Sequence, residues 1–128
     1  MKVLVDTHAF LWWTSQPTSL SRRAKSVMTN PENTLLFSVA SLWEIIIKSE
    51  TQRLRLPFSP VEYVRSRVEH CAMQFLPIGL HHVAALEGLP WHHRDPFDRL
   101  LVAQALAEGV PILTSDEQIQ AYPVQNIW

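Results

Sequence analysis

Hydrophobic positions along the chain follow two alternating patterns. Short runs of aliphatic residues are typical of buried strands, and apolar residues that recur every three or four positions are typical of helices. The short runs predict strands at Lys2–Val5, Thr34–Phe37, Gln74–Ile78, Val110–Thr114 and Val124–Ile127. The longer stretches predict helices at Thr7–Thr14, Leu20–Thr29, Ser38–Glu50, Pro60–Ala72, Leu80–Glu87, Pro96–Glu108 and Asp116–Ala121.

This alternation of strands and helices predicts an α/β fold. The connections between strands are too long for hairpins, so a central, mostly parallel sheet of about five short strands is expected between layers of helices. A chain of 128 residues suits one compact domain, so residues 1–128 are expected to form a single unit.

Composition narrows the classes of function. A hydrophobic share of 47% excludes a disordered chain. The net charge of −1 excludes coating of nucleic acid by bulk charge, although a local basic patch stays open. Cys71 is the only cysteine, which excludes an internal disulfide. Asp6 and His8 interrupt the first apolar run, so we expect no export signal, no membrane segment and a cytoplasmic protein.

The acidic residues at predicted strand ends and helix starts carry the candidate chemistry. Asp6 follows the first strand, Asp116 follows the fourth, and Glu44 lies about two turns into the helix after the second. Asp98 opens the helix that leads into the fourth strand. Because the carboxyl ends of parallel strands share the edge at which open α/β sheets bind ligands, these four carboxylates are expected to converge.

Each acid also fits an ordinary structural role as a helix cap or first-turn acid. Carboxylates that lie close together repel one another, however, unless a cation sits among them. Ligands that are all oxygen favour Mg²⁺ or Mn²⁺ over Zn²⁺ or Cu²⁺.

Four stretches carry a resemblance to a known family. They are Val3-Leu4-Val5-Asp6-Thr7, the motif Ser-x-x-x-x-Trp-Glu on a predicted helix, whose last residue is Glu44, the run from Arg94 to Ala105 that contains Asp95-Pro96-Phe97-Asp98-Arg99, and Leu113-Thr114-Ser115-Asp116. In this order and spacing the chain resembles the PIN-domain ribonucleases over essentially its whole length, and within them the VapC-type toxins of bacterial toxin–antitoxin pairs.

The resemblance implies a PIN-like, three-layer fold and an endoribonuclease that depends on Mg²⁺ or Mn²⁺. It implies that Asp6, Glu44, Asp98 and Asp116 are the catalytic and metal-binding acids. It also implies a VapB-like antitoxin that restrains the activity, an RNA substrate and a homodimer. The five tryptophans, Trp12, Trp13 and Trp43 among them, fit such interfaces, although core packing is their ordinary role.

Several neighbouring residues are expected to assist. Asp95 is expected mainly to cap a helix and to support the site secondarily, while Thr114 and Ser115 are expected to hydrogen-bond a ligand carboxylate or a bound water. Arg94 and Arg99 flank the acidic motif and His8 follows Asp6, so these three are candidates for contact with RNA, although Arg99 equally fits an ion pair with a nearby acid. The adjacent pairs His81-His82 and His92-His93 lack the spacing of metal ligands and are expected to serve packing or the surface.

Three alternatives remain beside the nuclease. A phosphoacceptor receiver domain needs clustered acids after the first strand and a late lysine, and no lysine follows Lys48. An aspartyl phosphatase usually shows Asp-x-Asp, which Asp6-Thr7-His8 lacks. A catalytically silent PIN-like domain that acts only as a partner-binding or regulatory module would keep the fold without turnover.

Overall fold

One parallel sheet of five strands forms the centre of the computed structural model, which describes residues 1–128. The strands are β1 (Lys2–Val5), β2 (Thr34–Ser38), β3 (Gln74–Leu76), β4 (Ile112–Leu113) and β5 (Asn126–Ile127). They lie side by side in the order β3-β2-β1-β4-β5, and every neighbouring pair is parallel. The predicted mostly parallel sheet is therefore confirmed.

Seven helices connect the strands. They are α1 (Thr7–Ser15), α2 (Arg22–Thr29), α3 (Val39–Glu50), α4 (Pro60–His70), α5 (Leu80–Ala84), α6 (Pro96–Glu108) and α7 (Glu117–Gln120), with a single 3₁₀ turn at Pro17–Ser19. None of them is long and apolar enough to cross a lipid bilayer.

The two faces of the sheet are buried in two separate cores, which confirms three layers. Val3 and Val5 of β1 face one core, which α1, α2 and α4 complete. Leu4 faces the other, which α6 and α7 complete. Side chains alternate between the faces of a strand, so a strand that is buried on both faces needs the continuous apolar run that β1 shows.

Helix boundaries follow the caps that the sequence offers. The predicted helix Leu20–Thr29 begins two residues later, at Arg22, because the Ser21 side chain accepts the Ala24 N–H at 3.0 Å. Gly109 adopts the left-handed conformation (φ 67°) that ends α6 after Glu108, as predicted.

The predicted strands at Val110–Thr114 and Val124–Ile127 are shorter in the structure than expected. Pro111 has no N–H to donate, so β4 starts only at Ile112, although the Pro111 carbonyl still accepts from Leu4 N–H. The predicted helix Leu80–Glu87 likewise ends at Ala84, and its last residues form turns.

Candidate metal and active site

The carboxyl ends of β1 and β4 define the candidate site. The strand order reverses between these two strands, and ligands bind at such switch points in open α/β sheets. Asp6 is the first residue after β1, and Thr114, Ser115 and Asp116 directly follow β4.

Thr114 connects two of the acids. Its hydroxyl donates to Oδ2 of Asp6, and its oxygen accepts the backbone N–H of Asp116 at 3.0 Å. Oδ1 of Asp6 accepts from Ala9 N–H at 2.6 Å, so Asp6 also caps α1. Thr114 is fully buried and thus fixes the separation of the two chain segments that carry Asp6 and Asp116.

Glu44 is buried on α3 although it is charged, with only 4% of its surface exposed. Its Oε2 accepts from Lys48 Nζ at 2.9 Å, one helical turn further along. Its other oxygen, Oε1, is buried and has no hydrogen-bond partner. A buried carboxylate oxygen without a partner is costly, which is the arrangement expected of a group that binds a ligand.

Asp98 lies in the first turn of α6 and receives one side-chain hydrogen bond. His93 Nε2 lies 3.0 Å from Oδ2 of Asp98. The adjacent cap of α6 is Asp95, whose Oδ1 accepts the backbone N–H groups of Phe97 and Asp98 at 2.9 and 3.0 Å. The predicted capping role of Asp95 is confirmed.

The carboxylates act on one another across the site. Burial raises the pKa of Asp98 to about 6 despite the hydrogen bond from His93, and the charges of Asp95, Asp116 and Glu44 raise that pKa further. Burial also raises the pKa of Asp6 above its ordinary value; hydrogen bonds from Thr114 and Ala9 oppose this rise and the Asp116 charge adds to it. The fold thus places the four acids within electrostatic reach of one another, as expected from their positions in the sequence.

This donor set fits a hard divalent cation. All four side chains offer oxygen, two of them resist ionisation where they lie, and Oε1 of Glu44 is buried without a partner. A cation of this kind would neutralise the mutual repulsion and would bind Oε1 of Glu44, which has no other partner.

A shallow pocket of about 220 Å³ opens beside Asp6 and Asp116. His8, Trp12 and Ser115 complete its lining, and the His8 and Trp12 rings lie 6.0 Å apart. Ser115 and His8, both singled out from the sequence, are therefore placed next to two of the acids. Asp116 also caps α7 by accepting Gln118 N–H at 2.9 Å.

The expectation that Arg99 contacts RNA or pairs with a nearby acid is wrong. Arg99 is 4% exposed, and its guanidinium donates to the carbonyls of Pro90 and Leu89 and to the hydroxyl of Tyr122, at 2.7 to 3.2 Å. The ring of Trp91 covers it at 3.7 Å. These contacts anchor the loop before α6 and hold the guanidinium inside the protein, away from a phosphate at the surface.

Arg94, by contrast, is exposed beside Trp91, at the edge of a surface depression of about 410 Å³. Its side chain makes no ion pair with any acid of the chain. Contact between Arg94 and RNA stays a prediction.

A second group of possible ligands, His81, His82 and Glu108, lies away from the acids. Both rings place Nε2 within 3.1 Å of the same Glu108 oxygen, and these hydrogen bonds lower the pKa of Glu108. Nδ1 of His82 accepts the Gly79 N–H at 3.0 Å, so the proton of the neutral ring sits on Nε2. A metal-binding histidine instead donates from its other nitrogen, so the cluster is held by hydrogen bonds, and the expected packing role fits.

Three residues near the acids were not predicted from the sequence. Lys48 was detectable, because Glu44 and Lys48 are four positions apart on a predicted helix. His93 was predicted to serve packing or the surface. It does pack, nearly buried against the Tyr122 ring, and it also hydrogen-bonds Asp98, a contact that was not predicted. Tyr122 lies 2.9 Å from His93, and no spacing rule connects a loop residue to a residue 29 positions later.

The fold is that of a PIN domain. The sequence profile of that family matches residues 3–125, so this chain belongs to the PIN domain family. It is 26% identical over 121 residues to Ribonuclease VapC22 of Mycobacterium tuberculosis, a match that covers 94% of this chain and 91% of that protein.

Solved structures agree on the fold. The VapBC2 complex of Rickettsia felis, bound to a DNA fragment from its promoter, contains a chain that superposes with a TM-score of 0.68 at 13% identity and full coverage of both chains. FitAcB of Neisseria gonorrhoeae superposes with a TM-score of 0.64 at 16% identity, over 97% of this chain and 95% of the other.

Proposed function

We propose that this chain is an endoribonuclease that depends on a divalent cation, Mg²⁺ or Mn²⁺, and is the toxin of a toxin–antitoxin pair. The observation that carries the proposal is the buried, unpartnered Oε1 of Glu44 in a group of mutually repelling carboxylates at the switch point of the sheet. The similarity to Ribonuclease VapC22 supports RNA as the substrate.

Asp6, Asp98, Asp116 and Glu44 would hold the cation. When bound, a divalent cation makes a water more acidic and neutralises charge on a phosphate. The protein contributes rigidity: Thr114 fixes Asp6, His93 holds Oδ2 of Asp98, and Lys48 holds Oε2 of Glu44. The exposed groups beside the acids, His8 and Arg94, are proposed to contact the RNA backbone, and Ser115 to hydrogen-bond a bound water. Hydrolysis would leave 5′-phosphate and 3′-hydroxyl ends.

RNA cleavage with and without the cation tests the activity. Purified protein should cleave single-stranded RNA with Mn²⁺ or Mg²⁺ and stop when EDTA is added. Asp6→Asn and Asp98→Asn should each lower the rate by at least a hundredfold, whereas Asp95→Asn, which keeps a capping side chain, should cleave like the parent. A parent that binds RNA but never cleaves it would instead favour the silent partner-binding module.

A VapB-like antitoxin is the proposed partner. VapBC and FitAcB are names of complexes, which supports a second chain for this one as well. A pocket of about 340 Å³ lined by Trp13, Met28 and Arg67 lies between α1, α2 and α4, and Nε of Arg67 is buried there without a partner. An apolar segment that carries an acidic residue would fit this pocket. Addition of such a partner should abolish cleavage, and Trp13→Ala should weaken the complex. Because the proposed substrate is RNA, we propose that the protein acts in the cytoplasm.

A homodimer is the proposed assembly. Val39, Trp43 and Ile47 are exposed four residues apart on α3, which gives the helix an apolar stripe on its outer face. Trp43 is 54% exposed and meets the edge of Phe97 at 5.0 Å. Light scattering should give twice the chain mass for the parent, and Trp43→Ser should shift the equilibrium to monomer. A monomeric parent at micromolar concentration would contradict the proposal.

A further inference from the structure

Four side chains form a continuous line of hydrogen bonds that ends on Asp98. Arg99 Nη1 donates to the Tyr122 hydroxyl at 3.0 Å, this hydroxyl lies 2.9 Å from His93 Nδ1, and His93 Nε2 lies 3.0 Å from Oδ2 of Asp98. The four residues come from α6, from the loop before it and from the segment after α7.

The donors at the Tyr122 oxygen set the direction of this line. A guanidinium only donates, and the backbone N–H of His93 also points at the phenol oxygen, at 3.3 Å. These two N–H groups use both lone pairs of the phenol oxygen, so its remaining hydrogen bond is the one that its own hydrogen donates. The nearer of its two acceptors is His93 Nδ1 at 2.9 Å, against the His93 carbonyl at 3.3 Å.

The direction at Tyr122 fixes the tautomer of His93. A ring nitrogen that accepts the phenol hydrogen carries none of its own, so the proton of the neutral imidazole is on Nε2. Nε2 then donates to Oδ2 of Asp98 and leaves Oδ1 free. No other side chain hydrogen-bonds the Asp98 carboxylate.

The far end of the line is rigid. The Arg99 guanidinium donates to two backbone carbonyls and stacks under the Trp91 ring. These contacts attach it to the loop that carries His93. His93 itself is nearly buried, with 7% of its side chain exposed. The hydrogen bond from His93 therefore restricts rotation of the Asp98 carboxylate, which would otherwise rotate freely when no ligand is bound.

We propose that His93, oriented by Tyr122 and Arg99, is a positioning residue that presents Oδ1 of Asp98 to the divalent cation. This inference rests on the proposed function in one respect, namely that Asp98 is a ligand. Hydrogen-bonded partners of metal ligands typically contribute 10- to 100-fold to metal affinity or activity, which sets the scale of the expected effect.

The first test is Mn²⁺ binding in the absence of RNA, measured by calorimetry on folded protein. His93→Ala should weaken Mn²⁺ binding by about 10- to 100-fold, and His93→Gln, whose amide N–H can replace Nε2–H, should recover most of it. The matched control is His92→Ala, since His92 is exposed in the same loop and contacts the Tyr122 ring but not Asp98. It should bind Mn²⁺ like the parent.

The second test is the tautomer of His93 in metal-free protein. Long-range ¹⁵N–¹H spectra at pH 8 should show the His93 proton on Nε2. Tyr122→Phe should weaken this preference without abolishing it, because Nδ1 loses its donor while the Asp98 carboxylate still accepts from Nε2–H. An Nδ1–H tautomer in the parent would overturn the proposal. So would a His93→Ala protein that is folded and binds Mn²⁺ as tightly as the parent.

The two tests separate this inference from the function beneath it. A parent that binds Mn²⁺ and cleaves RNA, with a His93→Ala variant that binds Mn²⁺ equally well, leaves the nuclease intact and removes only the positioning role. A parent that binds no Mn²⁺ removes both.

Discussion

Lys48 Nζ lies 2.9 Å from one carboxylate oxygen of Glu44, and the other oxygen is buried without a hydrogen-bond partner. The ion pair offsets part of the cost of burying the carboxylate, but only on one side of it. The vacant Oε1 is thus available to a cation, and the charge of Lys48 stabilises Glu44 while that cation is absent.

Lys48→Met should destabilise the metal-free protein more than the metal-bound one. The loss of a partly buried pair one turn apart should lower the free energy of unfolding by about 1 kcal/mol without metal. Saturating Mn²⁺ should recover most of it, because the cation then neutralises Glu44. Thermal unfolding with and without Mn²⁺ checks this, with Lys48→Arg as the control that keeps the charge. An equal loss in both conditions would mean that Lys48 contributes only packing.

Replacement of Thr114 should loosen two acids at once. Thr114→Val keeps the shape but removes the donor to Asp6 and the acceptor for Asp116 N–H, so unfolding should become easier by about 1–3 kcal/mol. Cleavage by the remaining folded protein should fall at least tenfold. Thr114→Ser retains the hydroxyl and should stay close to the parent in both denaturant titration and RNA cleavage. A Val variant as active as the parent would contradict the role of the hydroxyl.

Affinity for the cation should fall with decreasing pH below about 6. The pKa of Asp98 is about 6 in the folded protein, so a proton must leave for each cation that binds. With one proton released, Mn²⁺ binding should weaken about tenfold for each pH unit below 6. Calorimetry between pH 5 and 7.5 checks the slope. A flat affinity through this range would show that Asp98 is not a ligand.

The same group should make metal-free stability depend on pH. The folded pKa of Asp98 is raised above the ordinary value of 3.8, so the unfolded state binds fewer protons between these two values. The free energy of unfolding contributed by Asp98 therefore falls as pH rises from about 4 to about 6 and stays low above that. The shift corresponds to about 3 kcal/mol before screening by solvent reduces it.

Asp98→Asn isolates this effect, because the amide is neutral at every pH. The melting temperature of the Asn variant, relative to the parent, should be unchanged near pH 4 and higher near pH 7 in EDTA. Added Mn²⁺ should stabilise the parent at pH 7 and leave the variant almost unaffected. A variant that is no more stable than the parent at pH 7 would mean that Asp98 ionises without cost.

Asp95 should matter to stability rather than to chemistry. Asp95→Ala removes the acceptor of two backbone N–H groups at the start of α6 and should cost about 1 kcal/mol of stability. Asp95→Asn keeps the cap and should cost only a few tenths. Both folded variants should retain RNA cleavage. A large loss of cleavage in the Asn variant would instead reveal a secondary role for the Asp95 charge at the site.

Local patterns were sufficient to predict the sheet and the convergence of the acids. The strands β1, β2 and β4 contain short apolar runs, and Asp6 and Asp116 lie within three residues after β1 and β4, so topology alone brings them to one edge. Position in the chain then predicts the neighbourhood of an acid, but not the direction of its oxygens.

What the sequence could not predict depends on side-chain direction and on loops. Arg99 lies one residue after Asp98, yet on a helix neighbouring residues point about 100° apart, and Arg99 turns into the protein. His93 reaches Asp98 because the loop before α6 folds back on Tyr122, a contact without any periodic signature. The bounds of a strand were predicted wrongly where backbone hydrogen bonding between strands, rather than the apolar run, determines where the strand begins, as at Pro111.

Asp6 and Asp116 each cap the N-terminus of a helix, α1 and α7, and also line the candidate site. Because each residue has both roles, substitutions that abolish the proposed toxicity fall into two classes: those that keep the helix cap and those that remove it. Asparagine still caps a helix, so under the proposed function Asp6→Asn would give an inactive protein that stays folded and still binds the proposed antitoxin. Alanine would remove the proposed ligand and the cap together, so the chain would be less stable and exposed to proteolysis, and the proposed antitoxin would be left without its partner. The Asn substitution would therefore keep the amount of unbound antitoxin low, whereas the Ala substitution would raise it.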